Sequence, residues 1–201
     1  MAKLTLDEWI ARLGKNKSFK ANAAAVVDIP AKSGDFEDYP DWVDLRLRDV
    51  LANNDARWKF VFFHHPPYTG STHDAAGQAF VKDAFSAIFD DTGVDIVFTG
   101  HNHLYERTAP IKGDKMVGEG EGPVYITTGA GGAPQYPEEL PAPPYMRFYK
   151  DGIFSFSKVD IAGDKLTTRQ IDENEKVIDE YVIDKSIKAS GPSAAKESPV
   201  P

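Results

Sequence analysis

The chain contains no cysteine, which excludes disulfide bridges, thiolate nucleophiles and cysteine-ligated zinc. Basic side chains are also in the minority, since 23 lysines and arginines face 31 acidic residues and leave a formal net charge of −8. A surface that binds nucleic acid or an anionic membrane needs clustered positive charge, and no basic run occurs in the sequence. We therefore expect neither nucleic acid nor a membrane as a partner.

Long apolar runs are absent as well. No segment is apolar over the length needed to cross a bilayer, and the first residues, MAKLTLDEWIARLGKNKSF, lack the uninterrupted apolar core of a signal peptide. These absences predict a soluble chain without a signal peptide. The length of 201 residues suits one domain with its own hydrophobic core.

Apolar periodicity predicts an α/β fold. Residues 23–29, 59–63 and 94–99 are short apolar runs typical of buried strands. Residues 42–53 and 75–90 instead repeat their apolar side chains at the spacing of amphipathic helices. Strand, helix and strand joined by short connections imply parallel strands with right-handed crossovers.

After residue 124 the pattern changes to consecutive short strands, VYITT, IFSFSKVDI, KLTTRQI and VIDEYVI, which predict an antiparallel meander. The glycine-rich segment 127–134 lacks the pattern of a phosphate-binding loop and predicts a tight loop at a strand end. The polar end of the sequence predicts disorder. We divide the chain into an N-terminal helix and loop (1–17), an α/β domain (18–185) and a disordered tail (186–201).

All five histidines fall in two short segments. They are His64, His65 and His73 in FFHHPPYTGSTHD, and His101 and His103 in FTGHNHLYERT. Each segment begins where an apolar strand ends, and ligands of α/β sheets collect outside the carboxyl ends of strands. Imidazole suits zinc, iron and manganese, and side chains at i and i+2 of an extended backbone lie on one face. The spacing predicts a metal site without identifying the reaction.

Both segments also carry a family resemblance. WKFVFFHHPPYTG resembles the WKIVxxHHPPY segment of the calcineurin-like metallophosphoesterases, in particular their purple acid phosphatase-like branch, and VDIVFTGHNHLYERT resembles its VDxVxxGHxHxYER block. GPVYITTGAGGAP and the last predicted strands are similar to later parts of the same domain. The resemblance covers residues 18–184. It implies the α/β sandwich of this family, incomplete at its N-terminal side, with parallel strands followed by the antiparallel meander.

The resemblance implies a role for three histidines as metal ligands. His65 and His101 would bind one ion and His103 a second, with zinc, iron or manganese as the metals. The family's remaining ligands come from an aspartate after the first strand, a GDxxY block and a GNH block, and none of these is found in the sequence. We expect this chain alone to bind metal weakly or incompletely.

Other residues of the two segments take supporting roles by the same resemblance. His73 falls where relatives place a histidine that contacts the phosphate or protonates the leaving group, and His64 would orient substrate or merely pack. Tyr105, Glu106 and Arg107 would support the metal ligands from below.

Three functions follow as alternatives. The first is hydrolysis of a phosphate ester, with a complementing N-terminal half or an oligomer partner completing the site. The second is a truncated or degenerate member that binds a partner through the apolar edge and face that an incomplete sheet would expose. The third is a mononuclear zinc hydrolase built on three imidazoles. Relatives in the family are often exported, which this sequence does not indicate for the chain.

Overall fold

The computed structural model of the chain describes residues 24–28, 41–71, 73, 75–135 and 142–187. The helix predicted within residues 1–17, the acidic segment 33–40 and residues 188–201 of the predicted tail lie outside the described residues. Within the described part, two helices and eleven strands follow one another along the chain.

The helices are α1 (Asp41–Ala52) and α2 (Ala75–Thr92). The strands are β1 (Ala24–Asp28), β2 (Trp58–Phe62), β3 (Ile96–Thr99), β4 (Tyr105–Thr108), β5 (Ile111–Lys112), β6 (Lys115–Met116), β7 (Val124–Thr128), β8 (Met146–Lys150), β9 (Ser155–Ala162), β10 (Lys165–Asp172) and β11 (Val177–Asp184).

The main sheet has six strands in the order β1-β2-β3-β7-β4-β8. Strands β1, β2, β3 and β7 are parallel, and β4 pairs antiparallel with both β7 and β8. Helix α1 connects β1 to β2, and α2 connects β2 to β3, which confirms the predicted parallel arrangement. Because Asp28 pairs with Phe62 and Phe62 with Phe98, these parallel strands end at the same edge of the sheet.

The two helices cover one face of the main sheet. Val61, Val97 and Tyr125, one from each central strand, pack in a single buried cluster with side chains of both helices. On α2 this cluster takes Val81, Phe85, Ile88 and Phe89, four of the apolar positions that define the helical periodicity. Burying such a side chain stabilises the fold by roughly 1.5–3 kcal/mol.

The three-stranded sheet β11-β10-β9 covers the opposite face. Side chains of a strand alternate between its two faces, so Phe60, Ile96 and Phe98 point away from the helices and pack with Leu166 and Ile183 of the second sheet. Both faces of β2, β3 and β7 are therefore covered. The exposed apolar face expected for an incomplete sheet does not occur at these central strands.

Four of the strands have no counterpart among the strands predicted from the sequence. These are β4 and β8 at one side of the main sheet and the small β5–β6 hairpin. Strand β4 reads YERT and has two charged residues in the middle, so it lacks an apolar pattern. It becomes a strand because β7 and β8 pair with it on both sides.

No described helix is both long enough and apolar enough to cross a membrane.

Candidate metal centre

The two histidine segments leave the main sheet side by side. The backbone N–H of Phe63 donates to the carbonyl of Phe98 at 3.2 Å, and that of Gly100 donates to the carbonyl of His64 at 3.0 Å. The pairing of β2 with β3 thus continues past the ends of both strands. This continuation holds His64 next to the turn that carries His101.

Three histidines converge at this edge. One ring nitrogen from each of His64, His65 and His101 lies within 4.8 Å of the other two. His101 Nδ1 is 3.1 Å from His64 Nε2, and the ring centroids of His65 and His101 are 4.3 Å apart. Among the described residues, no carboxylate extends this group. Within the part of the chain that the structure describes, three imidazoles are therefore gathered without an acidic ligand in their group.

The backbone at His101 is strained. Its φ of 62° lies in the left-handed region, which costs a residue other than glycine roughly 1–2 kcal/mol. Two tight turns follow, because Asn102 N–H donates to the Gly100 carbonyl at 2.7 Å and Leu104 N–H donates to the Asn102 carbonyl at 2.8 Å. Strain of this kind clusters at functional sites, where it fixes a side chain in one orientation.

Gly129 allows the glycine-rich loop after β7 to pack directly on this turn. A Cβ atom at Gly129 would lie 2.0 Å from the carbonyl oxygen of Asn102, a distance that no side chain can occupy. The Gly129 N–H donates to the Leu104 carbonyl at 3.1 Å. The predicted tight loop at the end of β7 is therefore present, and it packs directly against the second histidine segment.

His103 is oriented separately from the three clustered rings. Its Nδ1 lies 2.7 Å from the carbonyl oxygen of Pro134. A carbonyl oxygen only accepts, so Nδ1 carries the proton and Nε2 of the neutral ring carries the lone pair. A metal-binding histidine is commonly held in this way through its other nitrogen.

His73 lies beside the cluster on the far side of the first loop. Its ring centroid is 5.2 Å from that of His101, and its side chain is exposed. The backbone N–H of His73 donates to Ser71 Oγ at 3.1 Å. The structure thus brings the rings of His64, His65 and His73 to centroid distances of 5.0, 4.3 and 5.2 Å from the ring of His101.

Tyr105 and Arg107 point away from the histidines. The Tyr105 hydroxyl donates to Asp179 at 2.7 Å, and Arg107 donates to both carboxylate oxygens of Asp179 at 2.7 and 3.0 Å. Burial, with the charge of Asp179 and the hydrogen bond to it, raises the pKa of Tyr105 above its ordinary value. Burial opposes the charge of Arg107, but the hydrogen bonds and charge of Asp179 outweigh it and raise the pKa of Arg107.

Glu106 faces the opposite side of β4, towards the histidine loop, because side chains alternate along a strand. It is 1% exposed. Its Oε2 accepts from Gly70 N–H at 2.8 Å, and its Oε1 accepts from Thr127 Oγ1 at 3.1 Å. Of the three residues expected to support the site, Glu106 is the one in contact with the loop between His65 and His73.

The clustered rings fit a metal ion in kind and in spacing. Zinc binds imidazole nitrogen at about 2.0–2.1 Å in a tetrahedron, which places two ligand nitrogens about 3.3 Å apart. The 3.1 Å between His64 Nε2 and His101 Nδ1 is close to this spacing. The sequence assignment placed His65 and His101 on one ion and His103 on another, whereas the geometry adds His64 to the first group.

Comparison with known proteins gives two family matches. Residues 13–105 match the family described as Calcineurin-like phosphoesterase. Residues 122–180 match the family described as Iron/zinc purple acid phosphatase-like protein C. The first match includes both histidine segments as far as Tyr105, and the second covers β7 and most of the antiparallel meander.

Individual relatives agree with these matches. Purple acid phosphatase 18 of Arabidopsis thaliana is 36% identical over 102 residues, which are 49% of this chain and 22% of that protein. Purple acid phosphatase 21 of the same plant is 37% identical over 92 residues, 45% of this chain and 20% of that protein. The chain therefore matches about a fifth of the length of these curated relatives.

The fold is shared with a solved purple acid phosphatase. The structure of PPD1 from yellow lupin (Lupinus luteus) seeds superimposes with a TM-score of 0.66 at 19% identity, over 87% of this chain and 34% of that chain. At this identity the likeness concerns the fold, and the family follows from the sequence matches. The chain belongs to the calcineurin-like metallophosphoesterases, on their purple acid phosphatase-like branch.

Proposed function

We propose that this chain carries the histidine part of a metal-dependent phosphoesterase site that hydrolyses phosphate monoesters. The observation that carries the proposal is the convergence of His64, His65 and His101 at the strand ends, where one ring nitrogen from each lies within 4.8 Å of the other two. The metals are zinc, iron or manganese, which imidazole ligands suit. A metal bound there would polarise a phosphoryl oxygen and lower the pKa of a bound water.

The geometry supports a proposed set of ligand roles. His64, His65 and His101 form one binding group, because one nitrogen pair, from His64 and His101, is already at ligand spacing. His103 offers Nε2 to a second position, since its Nδ1 donates to Pro134. This assignment keeps the three ligands expected from the sequence and adds His64.

His73 is proposed to assist departure of the alcohol. Its ring is exposed and 5.2 Å from the ring of His101, measured between centroids. A substrate held by its phosphate at the cluster would therefore place its leaving oxygen within reach of this imidazole. A protonated imidazole can donate its proton to that oxygen, which is general acid catalysis.

A complementing N-terminal segment or an oligomer partner is proposed to complete the site. The three histidines bring no negative charge, and within the described residues no acidic side chain joins them. Strand β1 lies at the end of the main sheet and pairs with β2 alone among the described strands. An added strand could therefore pair with β1 and bring carboxylate ligands to the same edge.

Two other functions remain as candidates on specific observations. The absence of a carboxylate from the histidine group, within the described residues, favours a non-catalytic binding or structural subunit. A solved structure that shares this fold is GAP50, the anchor in the inner membrane complex of Plasmodium, with a TM-score of 0.62 at 17% identity over 80% of this chain and 49% of that chain. The three close imidazoles alone favour a mononuclear zinc hydrolase.

Metal content and turnover of p-nitrophenyl phosphate separate these functions. We expect the purified chain to bind metal, and His101→Ala to abolish both metal binding and turnover. Asn174→Ala, in the exposed turn between β10 and β11, is the control and should leave both unchanged. Metal without turnover would favour the non-catalytic function, and one ion with turnover the mononuclear hydrolase. No metal and no turnover would exclude both enzymatic functions for the isolated chain.

A further inference from the structure

The loop between His65 and His73 is held by buried polar side chains from later in the chain. Thr69 is the first residue held: its Oγ1 accepts from Asn102 Nδ2 at 2.9 Å, and its carbonyl oxygen accepts from the Tyr145 hydroxyl at 2.9 Å. Gly70 is the second, because its N–H donates to Glu106 Oε2 at 2.8 Å. Consecutive loop residues are thus attached to the second histidine segment.

The attachment is almost completely shielded from water. Asn102 is 0% exposed and Glu106 is 1% exposed. Burying a polar group without hydrogen bonds costs free energy, and Glu106 avoids this cost by accepting from Gly70 and Thr127 at once. The carboxyl group is therefore fixed from both sides, and the loop is attached to a rigid support.

The position of this attachment links it to the metal centre. It lies after His65 and before His73, whose rings contact that of His101 at centroid distances of 4.3 and 5.2 Å. Thr69 Oγ1 also accepts from Ser71 N–H at 2.9 Å, and Ser71 Oγ accepts from His73 N–H at 3.1 Å. A chain of hydrogen bonds thus runs from Asn102 to the backbone of His73.

We propose that Glu106 and Asn102 are positioning residues, which clamp the loop 69–71 and so set the distances of His65 and His73 from His101. The importance of these distances for metal and phosphate rests on the proposed function. Active-site groups must be held to within about 0.5 Å. Residues that orient metal ligands commonly change metal affinity by about 10–100-fold when they are replaced.

The decisive variants are Glu106→Leu and Glu106→Gln. Leucine removes both acceptors and leaves Gly70 N–H and Thr127 without their partner. Glutamine restores both bonds, since its oxygen can accept from Gly70 and its NH₂ group can donate to Thr127 Oγ1. Gln170→Leu is the matched control, because Gln170 is also 1% exposed and its side chain bonds to Ser155 and Ser157 of β9 rather than to the loop 69–71.

The first measurement uses the metal-free full chain. We expect NMR cross-relaxation between the ring protons of His65 and His101, and of His73 and His101, in the wild type, in Glu106→Gln and in Gln170→Leu. These signals should be lost in Glu106→Leu. If Glu106→Leu does not fold, Thr69→Val removes the hydroxyl that Asn102 holds and should lower the same signals. The proposal would be overturned if these signals persisted in folded Glu106→Leu or Thr69→Val. It would also be overturned if they disappeared equally in Gln170→Leu.

The second measurement is Zn²⁺ binding by calorimetry. Glu106→Leu should bind Zn²⁺ about 10–100-fold more weakly than the wild type, whereas Glu106→Gln and Gln170→Leu should bind with wild-type affinity. An equal loss in Gln170→Leu would mean that general destabilisation is the cause and would contradict the clamp. If the wild type binds no Zn²⁺, the proposed function fails, and the ring-proton signals still decide whether the clamp exists.

Discussion

At the scale of single residues, Asp114 shows how one carboxylate attaches a surface hairpin to the first histidine segment. Its φ of 61° places it in the turn between β5 and β6. It accepts from the Tyr68 hydroxyl at 2.6 Å and from Lys82 Nζ at 2.9 Å. The hydrogen bond from Tyr68, followed by that from Lys82, lowers the pKa of Asp114 below its usual value. Burial, aided by the hydrogen bond to Asp114, raises the pKa of Tyr68.

Asp114→Asn tests this attachment through its dependence on pH. A carboxyl group whose pKa is lowered by folding stabilises the fold above its unfolded pKa of about 3.9, and the effect is lost as the pH falls through the folded pKa. Asparagine tolerates the left-handed backbone but does not ionise. At pH 7 we expect the free energy of unfolding of Asp114→Asn, measured with urea, to be lower than that of the wild type by less than about 1 kcal/mol. The difference is small because Asp114 is largely exposed.

The difference in the free energy of unfolding should shrink as the pH falls below about 3.9 and through the lowered folded pKa, because the wild-type carboxyl group then becomes protonated as well. Asp55→Asn, an exposed change of the same kind before β2, serves as the control. A difference between wild type and Asp114→Asn that stays constant as the pH falls would contradict the assignment of the pKa shift to the folded state.

At the scale of elements, a buried ion pair connects β4 of the main sheet with β11 of the second sheet. The side chains of Arg107 and Asp179 are 12% and 7% exposed. The Arg107 guanidinium also lies over the ring of Tyr181, 4.8 Å from its centroid, and the Tyr181 hydroxyl donates to Glu119. These contacts fix how the second sheet lies across the main one.

Asp179→Ala should therefore be among the more damaging single changes. It leaves the Arg107 charge buried without its partner, which costs roughly 3–5 kcal/mol. Glu180→Ala is the matched control, because the neighbouring Arg169–Glu180 pair has side chains that are 33% and 49% exposed and exposed pairs contribute below about 1 kcal/mol. Denaturant unfolding measures the free energy of unfolding of both variants. Equal decreases for Asp179→Ala and Glu180→Ala would show that the buried pair does not hold the sheets together.

At the scale of the whole molecule, the main sheet is the middle layer between the helices and the second sheet. Leu166 of β10 is 0% exposed and packs with Trp58, Ile96 and Phe98. Because one sheet contributes to both hydrophobic clusters, we expect the described layers to unfold together in one cooperative transition.

Leu166→Ala tests the cohesion of the layers. Deleting a fully buried leucine side chain costs about 2–5 kcal/mol, which combines the lost burial and the cavity that remains. Val182→Ala on β11, where the side chain is 38% exposed, should cost much less. Fluorescence and circular dichroism should report the same midpoint for Leu166→Ala. Two separate transitions would mean that the second sheet unfolds independently of the helices.

Strong local patterns predicted much of the fold. The repeat of Val81, Phe85, Ile88 and Phe89 predicted α2, and its structure follows because one face of that helix is buried. The long strands β9, β10 and β11 were also predicted, since each contains β-branched residues and short turns separate the strands. Strand β4, with Glu106 and Arg107 in its middle, has no such local pattern, and only its partners β7 and β8 make it a strand.

For the candidate site, the sequence predicted the edge of the sheet where the histidines lie, but not which of their rings lie next to one another. His64, His65 and His101 follow strands that end at one edge, and the resemblance named the two segments. The separation of His64 Nε2 from His101 Nδ1, 3.1 Å, depends on the pairing of β2 with β3 beyond their ends. Residue spacing along the chain contains no information about that pairing.

The sequence by itself determined the family, the α/β class and the edge of the sheet where the histidines collect, because each depends on patterns within one segment. The tertiary structure decided which rings meet, that both faces of the central strands are covered, and that Glu106 turns towards the loop while Arg107 turns towards Asp179. These features depend on strand register and on contacts between segments far apart in the chain. The physical reason is that the alternation of side chains along a strand is a local property of the backbone. Which residues each face of the strand contacts is decided only when the layers pack together.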